Sequence, residues 1–157
     1  EYVSLDELYK NSDIISLHCP LTSDTKYIIN SNNISKMKDG VMIINTGRGK
    51  LINTIDLIEG LKSKKIGAAG LDVYEEEADY FFEDHSTEIL DDDVLARLLT
   101  FNNVIVTSHQ AFFTKEALSN IAETTLKSVS ELESAKKLSY EIAYVCENGN
   151  CSPKDIK

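Results

Sequence analysis

The sequence has no long apolar run. No stretch approaches the roughly 18 uncharged residues that a membrane-spanning helix needs, and the first residues show no basic-then-apolar leader. A soluble, cytoplasmic protein is the expectation. Positive charge is also scarce, with 16 Lys and Arg against 26 Asp and Glu and a formal net charge of −10. Nucleic acid and anionic membranes attract basic surfaces, so neither is expected as a partner, and a small anionic ligand would need its own local cation. Cys19, Cys146 and Cys151 are an odd set with one far from the other two, which implies reduced thiols rather than a disulfide framework. Cys146 and Cys151 alone are too few for tetrahedral zinc, so no metal is expected. The chain holds seven glycines, yet the G-x-G-x-x-G turn that cradles a dinucleotide pyrophosphate is nowhere in it. No internal repeat or low-complexity tract is present.

What is present suffices for one ordinary globular unit, since 157 residues at 42% hydrophobic content can bury a real core. Ser4-Leu5-Asp6-Glu7 has the form of a capping box and predicts a short helix ending near Asn11, with Leu5 and Leu8 on one face. Asp13 to Leu17 reads as a buried strand with Pro20 beyond it, and Val41 to Ile44 as a second strand entered through Asp39-Gly40. Between them, Ile28 to Met37 holds at most a short helix. Asn53 to Lys65 predicts an amphipathic helix with Ile55, Leu57, Ile58 and Leu61 on its apolar face, Asn53 or Thr54 as cap, and Gly67 as its stop. Ile66 to Val73 and Asn103 to Thr107 read as further strands, with a short helix around Asp93 to Leu99 before the last. Strands alternating with helices predict an α/β fold, a partial parallel sheet flanked by helices. From Thr114 to about Ser134, Leu118, Ile121, Ala122, Thr125, Leu126, Val129 and Leu132 recur at helical spacing and predict a long C-terminal helix of roughly 30 Å. The tail from Ser139 shows little pattern beyond a turn at Asn148-Gly149-Asn150 and a polar end that reads as disordered.

Open α/β sheets bind ligands at the carboxyl ends of their strands, and three such ends carry chemistry here. They are Ile44 to Gly49, Gly70 to Glu77, and Val106 to Phe113. An arginine after a strand is ordinarily a surface ion pair, but Arg48 stands between Gly47 and Gly49, which allow a tight turn and close approach of a ligand. Its planar fork matches a carboxylate in a way that lysine does not. His109 is the side chain best suited to general acid work near neutral pH. Glu75, Glu76 and Glu77 read most plainly as a solvated run, the start of a stretch to Asp93 with ten acids and no lysine or arginine; Tyr80, Phe81 and Phe82 would anchor it as a loop. His18, beside Cys19 and Pro20, reads as a sheet residue.

The order and setting of these segments resemble the D-isomer-specific 2-hydroxyacid dehydrogenases, most of all their fermentative D-lactate branch. The resemblance runs through about the first 135 residues and includes Ser16 to Thr22, Met37 to Ile43, Asp79 to Asp84 and Ser119 to Leu126. It implies a Rossmann-like sheet crossed by NAD and reversible hydride transfer from NADH to a 2-oxo acid, pyruvate giving D-lactate. By residue-wise analogy Arg48 would bind the substrate carboxylate and polarise the carbonyl, and His109 would protonate its oxygen. Glu77, five positions after Asp72, would stabilise the imidazolium. Asp72 would meet the nicotinamide amide, Cys19, Pro20 and Thr25 would line the cofactor, Thr46, Gly47 and Arg48 would border the nicotinamide, and Phe112 or Phe113 would limit the substrate side-chain pocket.

Three alternatives stand beside this reading: a related dehydrogenase acting on a bulkier 2-oxo acid, a non-catalytic NAD-sensing or interaction relative, and an inactive truncated product. The resemblance divides the chain into the distal half of an NAD-binding Rossmann domain (1–112), a long helix returning toward a substrate-side domain (113–138) and a tail (139–157). The glycine loop and the substrate-side domain would precede Glu1, so weak or absent NAD binding by this chain alone is expected. The long helix would leave apolar surface needing cover, which makes a homo-oligomer one possible partner state.

Overall fold

The Ser4 cap at the start of the chain forms as its sequence predicts. Ser4 Oγ accepts the Glu7 N–H at 3.3 Å, and helix α1 spans Leu5–Asn11. Its buried contact is not the Leu5 and Leu8 face, however. Leu5 is exposed and Leu8 only partly covered; Tyr9 carries the packing, with its hydroxyl donating to the Ile28 carbonyl at 3.0 Å. The computed structural model describes residues 1–77, 91–134, 137–140, 144–147 and 150–153, and the chain divides into two units, Glu1–Ala111 and Phe112–Lys157.

The first unit is built on four parallel strands in sequential order, β1 (Ile14–Leu17), β2 (Val41–Asn45), β3 (Ile66–Leu71) and β4 (Val104–Val106). Ile15 pairs with Ile43, Ile43 with Ala69, and Gly70 with Ile105. Because side chains alternate along a strand, Ile15, Leu17, Val41 and Ile43 point to one side. There they meet Tyr9, Ile34 of α2 (Ser31–Lys36), Leu57, Ile58 and Leu61 of α3 (Thr54–Lys62) and Leu98 of α4 (Asp93–Leu99) in a single cluster. Each fully buried aliphatic side chain contributes about 1.5–3 kcal/mol, so this face drives the assembly of the unit. On the other side of the sheet Ile14, Met42 and Ile105 are exposed.

Two expectations for α3 are corrected. The helix ends at Lys62, and Lys64 turns the chain with a left-handed φ of 62°, so Gly67 is not the stop. Gly67 lies inside β3 where the register slips, and a Cβ there would stand 2.5 Å from the Gly40 carbonyl oxygen. The glycine is needed for backbone approach, and the slip lets both Ile66 and Ala69 face the core. Ile55 is 61% exposed rather than part of the apolar face. Gly60 takes part instead, where a Cβ would meet Ile66 Cδ1 at 2.7 Å.

In the second unit, Thr114 Oγ1 accepts the Ala117 N–H at 3.2 Å and opens the predicted long helix, α5 (Lys115–Glu133). None of its residues is buried; Leu118, Ile121, Leu126, Val129 and Leu132 are all exposed. Where the tail sequence shows little pattern, the backbone forms an antiparallel pair, β5 (Tyr144–Glu147) and β6 (Asn150–Pro153), with Cys146 and Cys151 as register partners. Asn148 and Gly149 of the expected turn lie outside the described residues, as do the polar end after Pro153 and the aromatic anchors Tyr80, Phe81 and Phe82. Among the described residues no helix is long and apolar enough to cross a membrane.

Candidate active site

Arg48 follows β2 on a turn that one buried side chain builds. Asn45, 1% exposed, accepts the Gly47 N–H on Oδ1 at 3.0 Å and donates from Nδ2 to the Arg48 carbonyl at 2.9 Å. The Asn45 carbonyl also accepts the Asp72 N–H at 2.9 Å, joining this turn to the end of β3. Asn45 thus positions Arg48 without being a chemical participant. Its only sequence signal is a polar residue at the last inward position of an apolar strand. The Arg48 side chain is exposed, with Nη1 donating to the Gly47 carbonyl at 2.8 Å.

Beyond β3, Asp72 is buried at 4% exposure. Its Oδ1 accepts the Thr107 hydroxyl and the Gln110 N–H, the latter at 2.8 Å, and its Oδ2 accepts the Ala111 N–H at 2.9 Å. Its backbone carbonyl accepts the His109 N–H. These bonds hold a loop whose two central residues, Ser108 and His109, have φ of 54° and 57°. Left-handed backbone costs a residue with a Cβ about 1–2 kcal/mol, so the Asp72 contacts maintain a conformation that the loop would not adopt alone. Burial pushes the Asp72 carboxyl up, but the Thr107 hydroxyl, the Ala111 and Gln110 N–H groups and nearby His109 outweigh it and hold the group below its ordinary value.

His109 and Glu77 meet across this loop. His109 Nδ1 lies 3.2 Å from Glu77 Oε1, and Glu77 Oε2 accepts the Tyr74 N–H at 3.2 Å. Glu77 is therefore not a solvated member of an acidic run. The other two acids are also engaged, Glu75 accepting the Thr54 N–H at 2.7 Å at the start of α3 and Glu76 pairing with Lys50 at 3.3 Å. The Arg48 turn reaches the same segment through Gly49, where a Cβ would stand 1.9 Å from the Tyr74 carbonyl oxygen. Arg48, Glu77 and His109 are thus brought around one stretch of chain, residues 72–77.

A cleft of about 760 Å³ opens beside this assembly at the carboxyl ends of β1 and β2, lined by His18, Cys19, Pro20, Leu21, Thr46, Gly47 and Arg48. It gathers five of the seven residues expected to meet a cofactor. The other two stand elsewhere: the described bonds of the Asp72 carboxylate go to the His109 loop. Thr25 Oγ1 donates to the Pro20 carbonyl at 2.6 Å and accepts the Thr22 N–H at 2.8 Å, so it shapes the loop after Pro20. His18 lines the cleft and is not a sheet residue; it falls just past β1, where its Nε2 meets Ser16 Oγ at 2.8 Å. Its place after the first strand was the signal for it. Phe112 and Phe113 belong to the second unit, exposed and packed edge to face with centroids 6.2 Å apart.

A parallel sheet in sequential order with a cleft at the carboxyl strand ends is the arrangement of a Rossmann-like, nucleotide-binding fold. Residues 1–111 match the family model described as D-isomer specific 2-hydroxyacid dehydrogenase, NAD binding domain, and the chain belongs to that family. It is 50% identical over 142 residues to the D-lactate dehydrogenase of Escherichia coli, covering 90% of this chain and 43% of that protein. It is 54% identical over 133 residues to an aromatic 2-oxoacid reductase of Clostridium sporogenes, covering 85% and 40%. Among solved structures, the D-lactate dehydrogenase of Lactobacillus jensenii with NAD+ superposes with a TM-score of 0.81 at 35% identity, covering 90% of this chain and 43% of that one. The chain therefore spans about two fifths of the length of the relatives it matches.

Proposed function

We propose that this chain supplies the substrate-carboxylate cation and the proton donor of an NAD-dependent reductase that converts a 2-oxo acid to the D-2-hydroxy acid. The observation that carries the reading is the His109–Glu77 pair, held by Asp72 and Tyr74 on the same segment that packs against the Arg48 turn. The cleft fits one end of a dinucleotide: Cys19, Pro20, Thr46, Gly47 and Arg48 would hold the nicotinamide side, while the glycine-rich cradle for the pyrophosphate is absent from the sequence. When bound, the reduced cofactor supplies the hydride. Arg48 holds the substrate carboxylate through a planar fork and draws electron density from the adjacent carbonyl. With Nδ1 engaged by Glu77, His109 donates the proton from Nε2 to the carbonyl oxygen, and Glu77 balances the charge that the imidazolium carries. The net change is a 2-oxo acid, a hydride and a proton giving a 2-hydroxy acid.

Pyruvate is our preferred substrate and D-lactate the product, supported by the 50% identity to the Escherichia coli enzyme. A bulkier aromatic 2-oxo acid is the second reading, supported by the 54% identity to the Clostridium sporogenes reductase. The complete protein fits a cytoplasmic setting, and the uncovered apolar stripe of α5 fits self-association. Steady-state kinetics of the complete protein with NADH and 2-oxo acids of increasing side-chain size tests the reading. We expect the highest kcat/KM with pyruvate. A higher value with an aromatic 2-oxo acid moves the assignment to the second reading, and no reduction of any 2-oxo acid refutes both.

A further inference from the structure

Tyr74 lies between the two functional arms of the site, and its hydroxyl has no part in the chemistry described so far. It is 6% exposed, and it donates to Asp92 Oδ2 at 2.7 Å. Asp92 is itself fixed, because its Oδ1 accepts the Val94 and Leu95 N–H groups at 2.9 Å each and so caps α4, whose Leu98 is fully buried in the core. At its other end Tyr74 donates its backbone N–H to Glu77 Oε2, and its carbonyl stands against the Gly49 backbone.

We propose that the Tyr74–Asp92 hydrogen bond is a latch that anchors the 74–77 segment to α4 and thereby positions Glu77 against His109, making Tyr74 and Asp92 positioning residues for proton transfer. The latch spans the chain from Tyr74 to Asp92, joining the two sides of the long excursion after β3. Without it, the 74–77 segment would keep its ties to Thr54, Lys50 and the Gly49 turn but lose the one to α4 at Tyr74, the residue whose N–H holds Glu77. Among the described residues, the charged groups facing the pair include Asp72 and Glu77 around His109, and Asp92, Glu75 and Glu76 around Tyr74. Burial first, then the bond to Asp92, pushes the Tyr74 hydroxyl far up, so it remains a donor across the working pH range. The latch therefore does not titrate with the acid pair.

The inference rests on the reading of Glu77 and His109 as the acid pair, so its test joins a kinetic readout to one that needs no activity. Tyr74→Phe in the complete protein removes one oxygen and keeps the ring. We expect amide exchange at Tyr74 to Glu77 to quicken about tenfold, kcat to fall about tenfold with a smaller change in KM, and the alkaline limb of the pH–rate profile for 2-oxo acid reduction, where the general acid must keep its proton, to move. Asp92→Asn keeps an oxygen for the α4 cap and changes the atom facing Tyr74, so it should give milder effects in the same direction and serves if Tyr74→Phe fails to fold. Unchanged exchange overturns the latch. Faster exchange with unmoved kcat and pH profile overturns the positioning role and leaves Tyr74 as a packing residue. A wild type inactive on every 2-oxo acid, with faster exchange in the variant at both Glu77 and His109, defeats the functional reading and supports the latch.

Discussion

Replacing Asp72 by Asn is the sharpest test of how the His109 loop is held. The carboxylate accepts three donors, Thr107 Oγ1 and the Gln110 N–H on one oxygen and the Ala111 N–H on the other. An amide keeps one oxygen. If it stays with Thr107 and Gln110, those two bonds change from charge-assisted to neutral at a cost of about 1 kcal/mol each, and the Ala111 N–H faces an amide nitrogen at a further 1–3 kcal/mol or about that. The expected loss is about 4 kcal/mol, a large part of the about 5–15 kcal/mol by which ordinary domains are stable. The left-handed Ser108 and His109 would relax as a consequence. The pH dependence carries a sign as well. The folded-state carboxyl lies below its ordinary value, so as pH falls the unfolded chain takes up the proton first. The stability from Asp72 is complete above the unfolded value of about 4 and is lost as pH falls through the folded one. Denaturant unfolding of wild type and variant in parallel from pH 7 downward should show a gap of about 4 kcal/mol that narrows below about pH 4. A gap under about 1 kcal/mol at pH 7, or one that stays constant on acidification, refutes the clamp.

Gly49→Ala places a Cβ 1.9 Å from the Tyr74 carbonyl oxygen, a backbone atom that cannot swing aside; we expect about 3 kcal/mol or more of destabilisation, read as a drop in Tm, and a loss under about 0.5 kcal/mol would show that the two turns are not in contact. In the complete protein Arg48→Lys should chiefly raise KM, about tenfold or more, because one ammonium replaces a planar fork, whereas His109→Ala should chiefly lower kcat, by about 10² or more. The same pattern in both variants would remove the division of roles. Glu77→Gln removes the negative charge 3.2 Å from His109 Nδ1, so the pH at which turnover changes should fall; a pH profile superimposable on wild type would end the tuning role.

Local patterns disclosed the elements whose ends are set locally. Asp92 caps α4 and Thr114 caps α5, both through their own side chains, and the bounds read from the sequence lie within a residue or so of those observed. The errors arise where a distant partner decides. Gly67 resembles a helix stop, but its requirement comes from the Gly40 backbone across the register slip; Ile55 has an apolar side chain, yet the turn of α3 places it outward. The antiparallel pairing of β5 with β6 shows no alternating apolar pattern to announce it. At the site, Arg48, Glu77 and His109 were identifiable by their places after strands and by the family pattern. Asn45 as the builder of the Arg48 turn was not, nor was the direction of the Asp72 carboxylate, because its partners lie 35 to 39 residues further along the chain.

The geometry around residues 72–77 explains why Arg48, Glu77 and His109 can keep a common frame although they come from different strands. Parallel strands deliver Arg48, Glu77 and His109 to the same edge, but strand ends alone fix positions only as well as their loops are fixed. Each loop here is tied to this one segment by a different kind of contact. The Arg48 turn is joined to it through the Asn45 carbonyl bond to the Asp72 N–H and through steric exclusion at Gly49. The His109 loop is joined through the Asp72 carboxylate and the Glu77 side chain. A displacement of the segment therefore moves both arms together and preserves their relation, whereas a fault in the Asn45 side chain moves only Arg48 and a fault in the Asp72 carboxylate moves only His109. That arrangement suits the proposed reaction, in which a 2-oxo acid's carboxylate and carbonyl oxygen sit on adjacent carbons and must be met at once.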